Sequence, residues 1–239
     1  MRALVLAHEP DGPAAQVERR LVERGFTVDT HVVTSDNDRP DEAAPFPSLD
    51  GYDLLVPMGS IRSLTNKDEI GSWIHTEIEL VAAAHEADVP VLGVCFGIQI
   101  IAEALGGAVE PAPVTELGWI EISDGDVPNP VGSGPWLEWH HDRIVTPPGA
   151  EVLARTDHAV QLIRLGRTVG TQFHPEVDLP HIQRFLELTE DSYLEEYGTT
   201  REELLAATRR NEAHNIEQCH ALVDWYLDTV AFPALEVAG

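Results

Sequence analysis

Val89-Pro90-Val91-Leu92-Gly93-Val94-Cys95-Phe96-Gly97-Ile98-Gln99 is the stretch that decides the reading of this chain. Val89 to Leu92 is a short apolar run introduced by proline, the pattern of a strand buried on both faces. Ile98 to Leu105 is apolar on one face at helical spacing and is closed by Gly106-Gly107, so a helix is expected there. Cys95 falls on the tight turn between the two. A thiol at the head of a helix feels the positive end of the helix dipole, which favours thiolate, and the turn is expected to leave the sulfur exposed. Gly93 and Gly97 allow the sharp bend, the device of a nucleophile elbow. A cysteine between apolar residues is ordinarily inert core, so the elbow gains meaning only if a base lies elsewhere.

A base does follow, in Val169-Gly170-Thr171-Gln172-Phe173-His174-Pro175-Glu176. This is a second strand-like run, ending in a histidine with a carboxylate two residues on. Cys95 supplies the attacking sulfur, His174 takes and returns a proton, and Glu176 orients and charge-stabilises the imidazole. Pro175 stiffens the link between base and carboxylate by fixing its own φ and restricting its neighbour. Gly-x-Cys-x-Gly-x-Gln with a distant Gln-Phe-His-Pro-Glu resembles the class I glutamine amidotransferases, the Cys-His-Glu triad group. Together with Trp139-His140-His141-Asp142, the pattern is most similar to stand-alone proteins related to the amidotransferase domain of GMP synthase. The resemblance covers roughly residues 1–190, in the family's motif order.

The resemblance implies an α/β fold, flavodoxin-like, with an open mixed sheet and helices on both faces. It also implies hydrolysis of the glutamine side-chain amide through a γ-glutamyl thioester on Cys95, with ammonia leaving as His174 protonates it. Oxyanion donors would be the Phe96 N–H and an amide of the turn Met58-Gly59-Ser60-Ile61. The family usually has two glycines in that turn; this chain has Gly59-Ser60. Gln99, His140 and Asp142 match positions that approach the bound amino acid, whereas Ile98 stands where the family often has histidine. Glu116 and Gly118-Trp119 match a segment of the stand-alone relatives whose role reads as structural or pocket wall.

Composition narrows the partners. With 41 acidic against 15 basic residues the formal net charge is −26, which makes nucleic acid and anionic membranes poor partners. Two readings of the charge stand: solubility in a GC-rich proteome where arginine replaces lysine (Lys67 is the only one), and adaptation to molar salt. No apolar run approaches the roughly 20 residues that span a bilayer. Met1 to His8 reads as a first strand rather than a signal peptide, and a reduced cytoplasm is the expected setting. Cys219 lies in an apolar helical pattern and reads as structural. No cofactor is expected, and no spacing of the His-Glu-x-x-His kind suggests a metal. His140, His141, His158 and His181 read as surface or loop histidines.

Along the chain, strands are expected at Leu4–Leu6, Phe26–Val33, Tyr52–Pro57 and Val89–Leu92, with helices over Ala14–Arg24, Trp73–His85 and Ile98–Leu105. After Gly107 the segments Val114–Ile122, Trp136–Trp139, Glu151–Arg155, Ala159–Arg164 and Thr168–Phe173 predict an antiparallel portion of one mixed sheet. Helices follow over Pro180–Thr189, Thr200–Arg210 and Glu212–Val230. The chain therefore divides into an amidotransferase-like domain, residues 1–190, and a helical extension, residues 191–239. The apolar face of that extension is expected to pack on the chain's own domain rather than dock a second subunit. No phosphate-binding loop of the Walker or PP-loop kind is present, so any ammonia acceptor would belong to a separate synthetase subunit. The same triad also fits an autonomous hydrolase of γ-glutamyl peptides or amines, and the fold alone would fit a silent regulatory or binding protein. The oligomeric state is left open.

Overall fold

The computed structural model of the chain describes residues 1–233. β1 (Arg2–Ala7), α1 (Ala15–Glu23), β2 (Thr27–Val32), β3 (Leu54–Pro57), α2 (Ile74–Glu86), β4 (Val91–Val94) and α3 (Phe96–Ala104) alternate along the first half. β5 (Ala108–Ile120), β6 (Ser123–Asp124), β7 (Trp136–Val145), β8 (Glu151–Arg155), β9 (Val160–Leu165) and β10 (Thr168–Thr171) follow. The chain then continues as α4 (Leu179–Glu187), α5 (Asp191–Glu196) and α6 (Arg201–Trp225), whose last turn runs into a π-helical segment at Tyr226–Ala231.

Eight strands form one sheet in the order β2-β1-β3-β4-β10-β9-β8-β6. The first five are parallel, and β9, β8 and β6 are added antiparallel. Alternation along the parallel strands explains why both faces need cover. Ala3, Val5, Leu54, Val56, Leu92 and Val94 join one core with Val17 and Leu21 of α1. Leu4, Leu6, Leu55 and Val91 join the other with Val81 of α2 and Ile101 of α3. Strands buried on both sides must read as continuous apolar runs, and these do. Parallel order 2-1-3-4 followed by the tenth strand is a doubly wound topology, in which ligands bind at the carboxyl ends of the strands.

Three expectations are corrected. β5 and β7 do not join the main sheet; they form a separate two-stranded antiparallel ribbon with a register break between Pro111 and Glu116. Pro111 and Pro113 lack the N–H groups a continuous ladder needs. The two helices expected either side of Asn211 are one helix, because the modest propensity cost of Asn is overridden by packing. Thr200 caps that helix, accepting from the Glu203 N–H at 3.2 Å. The short α5 has no counterpart in the sequence reading.

α6 packs against α1 and α4. Cys219, Leu222 and Val223 of α6 share the core of α1, and Asp224 takes Arg20 and Arg24 at 2.6 Å each. Residues 234–239 of the expected extension lie outside the described residues. No described helix is long and apolar enough to cross a membrane.

Candidate active site

Cys95 sits between β4 and α3 with φ 52° and ψ −102°, a region L residues rarely enter. The bend is enforced by close packing. A Cβ on Gly97 would lie 2.1 Å from the Pro57 carbonyl oxygen, and one on Gly93 would lie 2.7 Å from the Gly97 carbonyl carbon. The Cys95 N–H donates to Thr171 O at 2.7 Å, which ties the elbow to β10. The sulfur was expected to be exposed. Cys95 is only 5 % exposed, because the turn after β3 and the residues after β10 close over it.

His174 follows β10 by three residues, and its own N–H donates to Leu137 O of the ribbon at 2.8 Å. His174 Nδ1 lies 2.8 Å from Glu176 Oε1, and both side chains are buried. Burial opposes charge on His174, yet the adjoining Cys95 sulfur and Glu176 carboxylate hold its pKa well above the ordinary imidazole range. Burial also works against ionised Glu176, and His174 more than offsets it, so the carboxyl stays below its usual range. A cationic imidazole fixed by a carboxylate beside a sulfur can activate that sulfur and later deliver a proton.

Gly59 and Ser60 follow β3 after Met58. A Cβ on Gly59 would stand 3.1 Å from His174 Cε1 and 3.6 Å from Cys95 Cβ, so this turn lines the sulfur. Ser60 Oγ donates to Glu9 Oε1 at 2.6 Å. The Phe96 N–H opens α3, where the first-turn amides have no helical acceptor. Gln99 is buried, its amide 3.5 Å from Gln172 Oε1, and Gln172 Nε2 lies 3.7 Å from the Cys95 sulfur. Gln172 thus lies against the Cys95 sulfur.

His140 and His181 are corrected from surface residues to buried ones. His181 lies on α4 against Phe185, and burial lowers its pKa. His140, on β7, donates through Nδ1 to its neighbour Asp142 O at 3.0 Å and places Nε2 3.2 Å from both Glu116 Oε2 and Glu138 Oε2. The nitrogen stands between the two carboxylates rather than in line with either. Burial disfavours the His140 cation, but Glu116 and Glu138 outweigh it and raise the pKa to about 10; burial pushes Glu138 up to about 7. These three residues present ligand-type atoms within 4.8 Å of one another. Glu116 Oε2 already accepts from Gln161 at 2.9 Å and Thr156 at 3.1 Å, and the His140 cation offsets one of the two carboxylate charges, so the three residues form a buried ion cluster in which the Glu138 oxygens have no hydrogen-bond donor among the described residues. Asp142 is held by Ser63 and, at 3.3 Å, by Thr65 Oγ1. The His140 and Asp142 side chains are thus each committed to partners within the chain.

One contributor had no sequence signal. Asn215 of α6, fully buried, donates from Nδ2 to Pro175 O at 3.1 Å and to Val177 O at 2.9 Å, the carbonyls either side of Glu176. Gln16 N of α1 donates to Glu176 O at 3.2 Å, and Glu212 Oε1 accepts from Leu179 N at 2.8 Å. The loop carrying the carboxylate is therefore held from α1 and from α6.

The chain is 36% identical over 145 residues to the glutamine-hydrolysing GMP synthase of Aeropyrum pernix, covering 57% of this chain and 28% of that protein. It is 26% identical over 239 residues to the glutamine amidotransferase-like protein YfeJ of Salmonella typhimurium, covering 95% of this chain and 96% of YfeJ. A glutamine amidotransferase from Thermotoga maritima shares the fold, with TM-score 0.81 at 22% identity over 96% of this chain and 99% of that one. One from Methylobacillus flagellatus does so with TM-score 0.80 at 21% identity, covering 95% and 94%. Residues 14–188, more than half of the sequence, match the family described as Glutamine amidotransferase class-I, and the chain belongs to that family.

Proposed function

We propose that this chain hydrolyses the side-chain amide of glutamine. The observation that carries the reading is the convergence, at the carboxyl ends of three neighbouring strands, of Cys95, the His174–Glu176 pair and the Gly59-Ser60 turn. Cys95 attacks the amide carbon, and the oxyanion is met by the Phe96 N–H and an amide of the Gly59-Ser60 turn. His174 gives its proton to the departing nitrogen, leaving a γ-glutamyl thioester and ammonia. Water, deprotonated by His174, then adds to the thioester carbon and the sulfur leaves, giving glutamate. Glu176 keeps the imidazole in the tautomer and orientation both steps need.

Ammonia released in this way serves a separate synthetase subunit; in the GMP synthase relatives the matched segment is 28% or less of a longer protein. The first assay is glutamate and ammonia release by the purified chain beside Cys95→Ala, at low and molar salt. Cys95-dependent release supports the reading, and a rate that rises in molar salt would favour the saline interpretation of the −26 charge. Hydrolysis of γ-glutamyl amines in place of glutamine would transfer the same triad to the autonomous-hydrolase reading. Absence of turnover together with absence of Cys95 labelling by a glutamine-like chloroketone would refute catalysis.

A further inference from the structure

His8 immediately follows β1 and is fully buried beside the turn that follows β3. Its Nδ1 lies 3.0 Å from the Gly59 carbonyl oxygen, and its Nε2 lies 3.0 and 3.1 Å from the two oxygens of Glu77 on α2, also fully buried. Both ring nitrogens face groups that only accept, so both must donate, and the ring is an imidazolium. Burial works against that charge, but Glu77, helped by Glu9, overcomes it and raises the pKa to about 9. Trp73 stacks on the ring at 5.7 Å and Phe96 meets its edge at 4.8 Å, which leaves the imidazole one orientation.

We propose that His8, clamped by Glu77, is a positioning residue that aims the Ser60 N–H at the oxyanion of the Cys95 acylation step. In a trans peptide the carbonyl and the following N–H point in opposite directions. Pinning the Gly59 carbonyl to His8 therefore turns the Ser60 N–H away from His8. A Cβ on Gly59 would lie 3.6 Å from Cys95 Cβ, so this peptide borders the sulfur, and we assign its free side to the oxyanion. The Ser60 N–H donates to no group among the described residues, as an amide reserved for a transient anion would. The side chain of Ser60 is itself held at Glu9, and the Arg62 N–H donates to Ser60 Oγ at 3.0 Å, so the residue cannot turn its amide without breaking both. The chain thereby replaces the freedom of a second glycine with an enforced orientation.

The inference rests on Cys95 being the acyl-accepting nucleophile of the proposed function, and its test is separable from glutamine itself. His8→Asn keeps a donor near the Nδ1 position, whereas His8→Leu removes it; both lose the contact to Glu77, so the structural penalty is shared. Two rates are measured at Cys95: acetylation by p-nitrophenyl acetate, which passes through an oxyanion, and alkylation by iodoacetamide, which does not. The ratio of acetylation to alkylation is expected to fall about 10- to 100-fold in His8→Leu, toward the loss seen when an oxyanion donor is removed, and to stay within a few-fold of wild type in His8→Asn. Glutaminase kcat should follow the ratio with KM little changed. His8→Phe, which keeps a ring between Trp73 and Phe96 but has no donor for the Gly59 carbonyl, is the second variant should His8→Leu fail to fold, and is expected to lower the ratio as well. Equal ratios in all variants would overturn the proposal, as would parallel loss of acetylation and alkylation, which would mean the sulfur itself was disturbed. A wild-type protein that is acetylated at Cys95 but releases no glutamate would sink the glutamine reading alone. A wild type that is not acetylated would overturn both.

Discussion

Replacing Asn215 by Leu should weaken the fold and slow the reaction by one and the same loss. Leu keeps the branched outline of Asn and is no smaller, so the change removes the donor without opening a cavity. Two buried carbonyls, Pro175 O at 3.1 Å and Val177 O at 2.9 Å, then lose their Asn215 donor. Leaving a buried acceptor unsatisfied costs about 1–3 kcal/mol, so the pair is expected to cost about 2–4 kcal/mol after partial relaxation. In a domain of this size each kcal/mol moves Tm by about 2–4 °C, which gives a fall of roughly 5–15 °C. The freed carbonyls bracket Glu176, and a displacement of about 1 Å at a catalytic group can cost on the order of 100-fold in rate. Thermal melts and glutamate release at a temperature well below both transitions read the two effects separately. A lower Tm with unchanged kcat would refute the argument that α6 positions the carboxylate. An unchanged Tm would refute the hydrogen bonds themselves.

Three further outcomes follow from the same geometry. Glu176→Gln keeps the side-chain shape but removes the charge that orients His174, and kcat should fall by about 10³- to 10⁴-fold with the fold intact by circular dichroism. Gly97→Ala places a carbon 2.1 Å from the Pro57 carbonyl oxygen, backbone against backbone, so it should lower Tm by more than 5 °C (about 2 kcal/mol or more) and reduce Cys95 labelling. His140 is raised from 6.5 to about 10 and Glu138 from 4.5 to about 7, both above their unfolded values, so their contributions are fully present below those unfolded values and are lost as pH rises through the folded ones. Glu138 should therefore contribute a decline in Tm between about pH 4.5 and 7 and His140 one between about pH 6.5 and 10, so Glu138→Gln should decline less than wild type between pH 5 and 7; a flat wild-type profile would contradict the charged cluster.

Much of this molecule could be read from local pattern. The parallel strands are short apolar runs bounded by Gly or Pro, and β3 and β4 lie within two residues of their expected positions. The Cys95 elbow and the His-Pro-Glu segment are compact motifs, so the pieces of the candidate triad are legible within a few residues of sequence each. What escaped reading depends on long-range contacts. His8 and Glu77 are 69 residues apart, Asn215 and Pro175 are 40, and no spacing links them. Glu116, Glu138 and His140 come together only because β5 and β7 pair in an antiparallel ribbon that opposes Glu116 to His140. The two helices expected over Thr200–Arg210 and Glu212–Val230 are one, since the packing of α6 on α1 and α4 carries the helix through Asn211.

The backbone of Cys95 sets stability against use at a single position. A φ of 52° with a ψ of −102° is uncomfortable for any side chain and acceptable to glycine. Residues held in such regions cost about 1–3 kcal/mol, so Gly at position 95 would be released from that cost while losing the sulfur. A library of this chain screened for heat resistance alone would be drawn toward a sturdier and inert protein. Retention of the thiol in a functional lineage therefore has to be enforced by selection on chemistry, and any campaign to harden the protein must score Cys95 reactivity in every round.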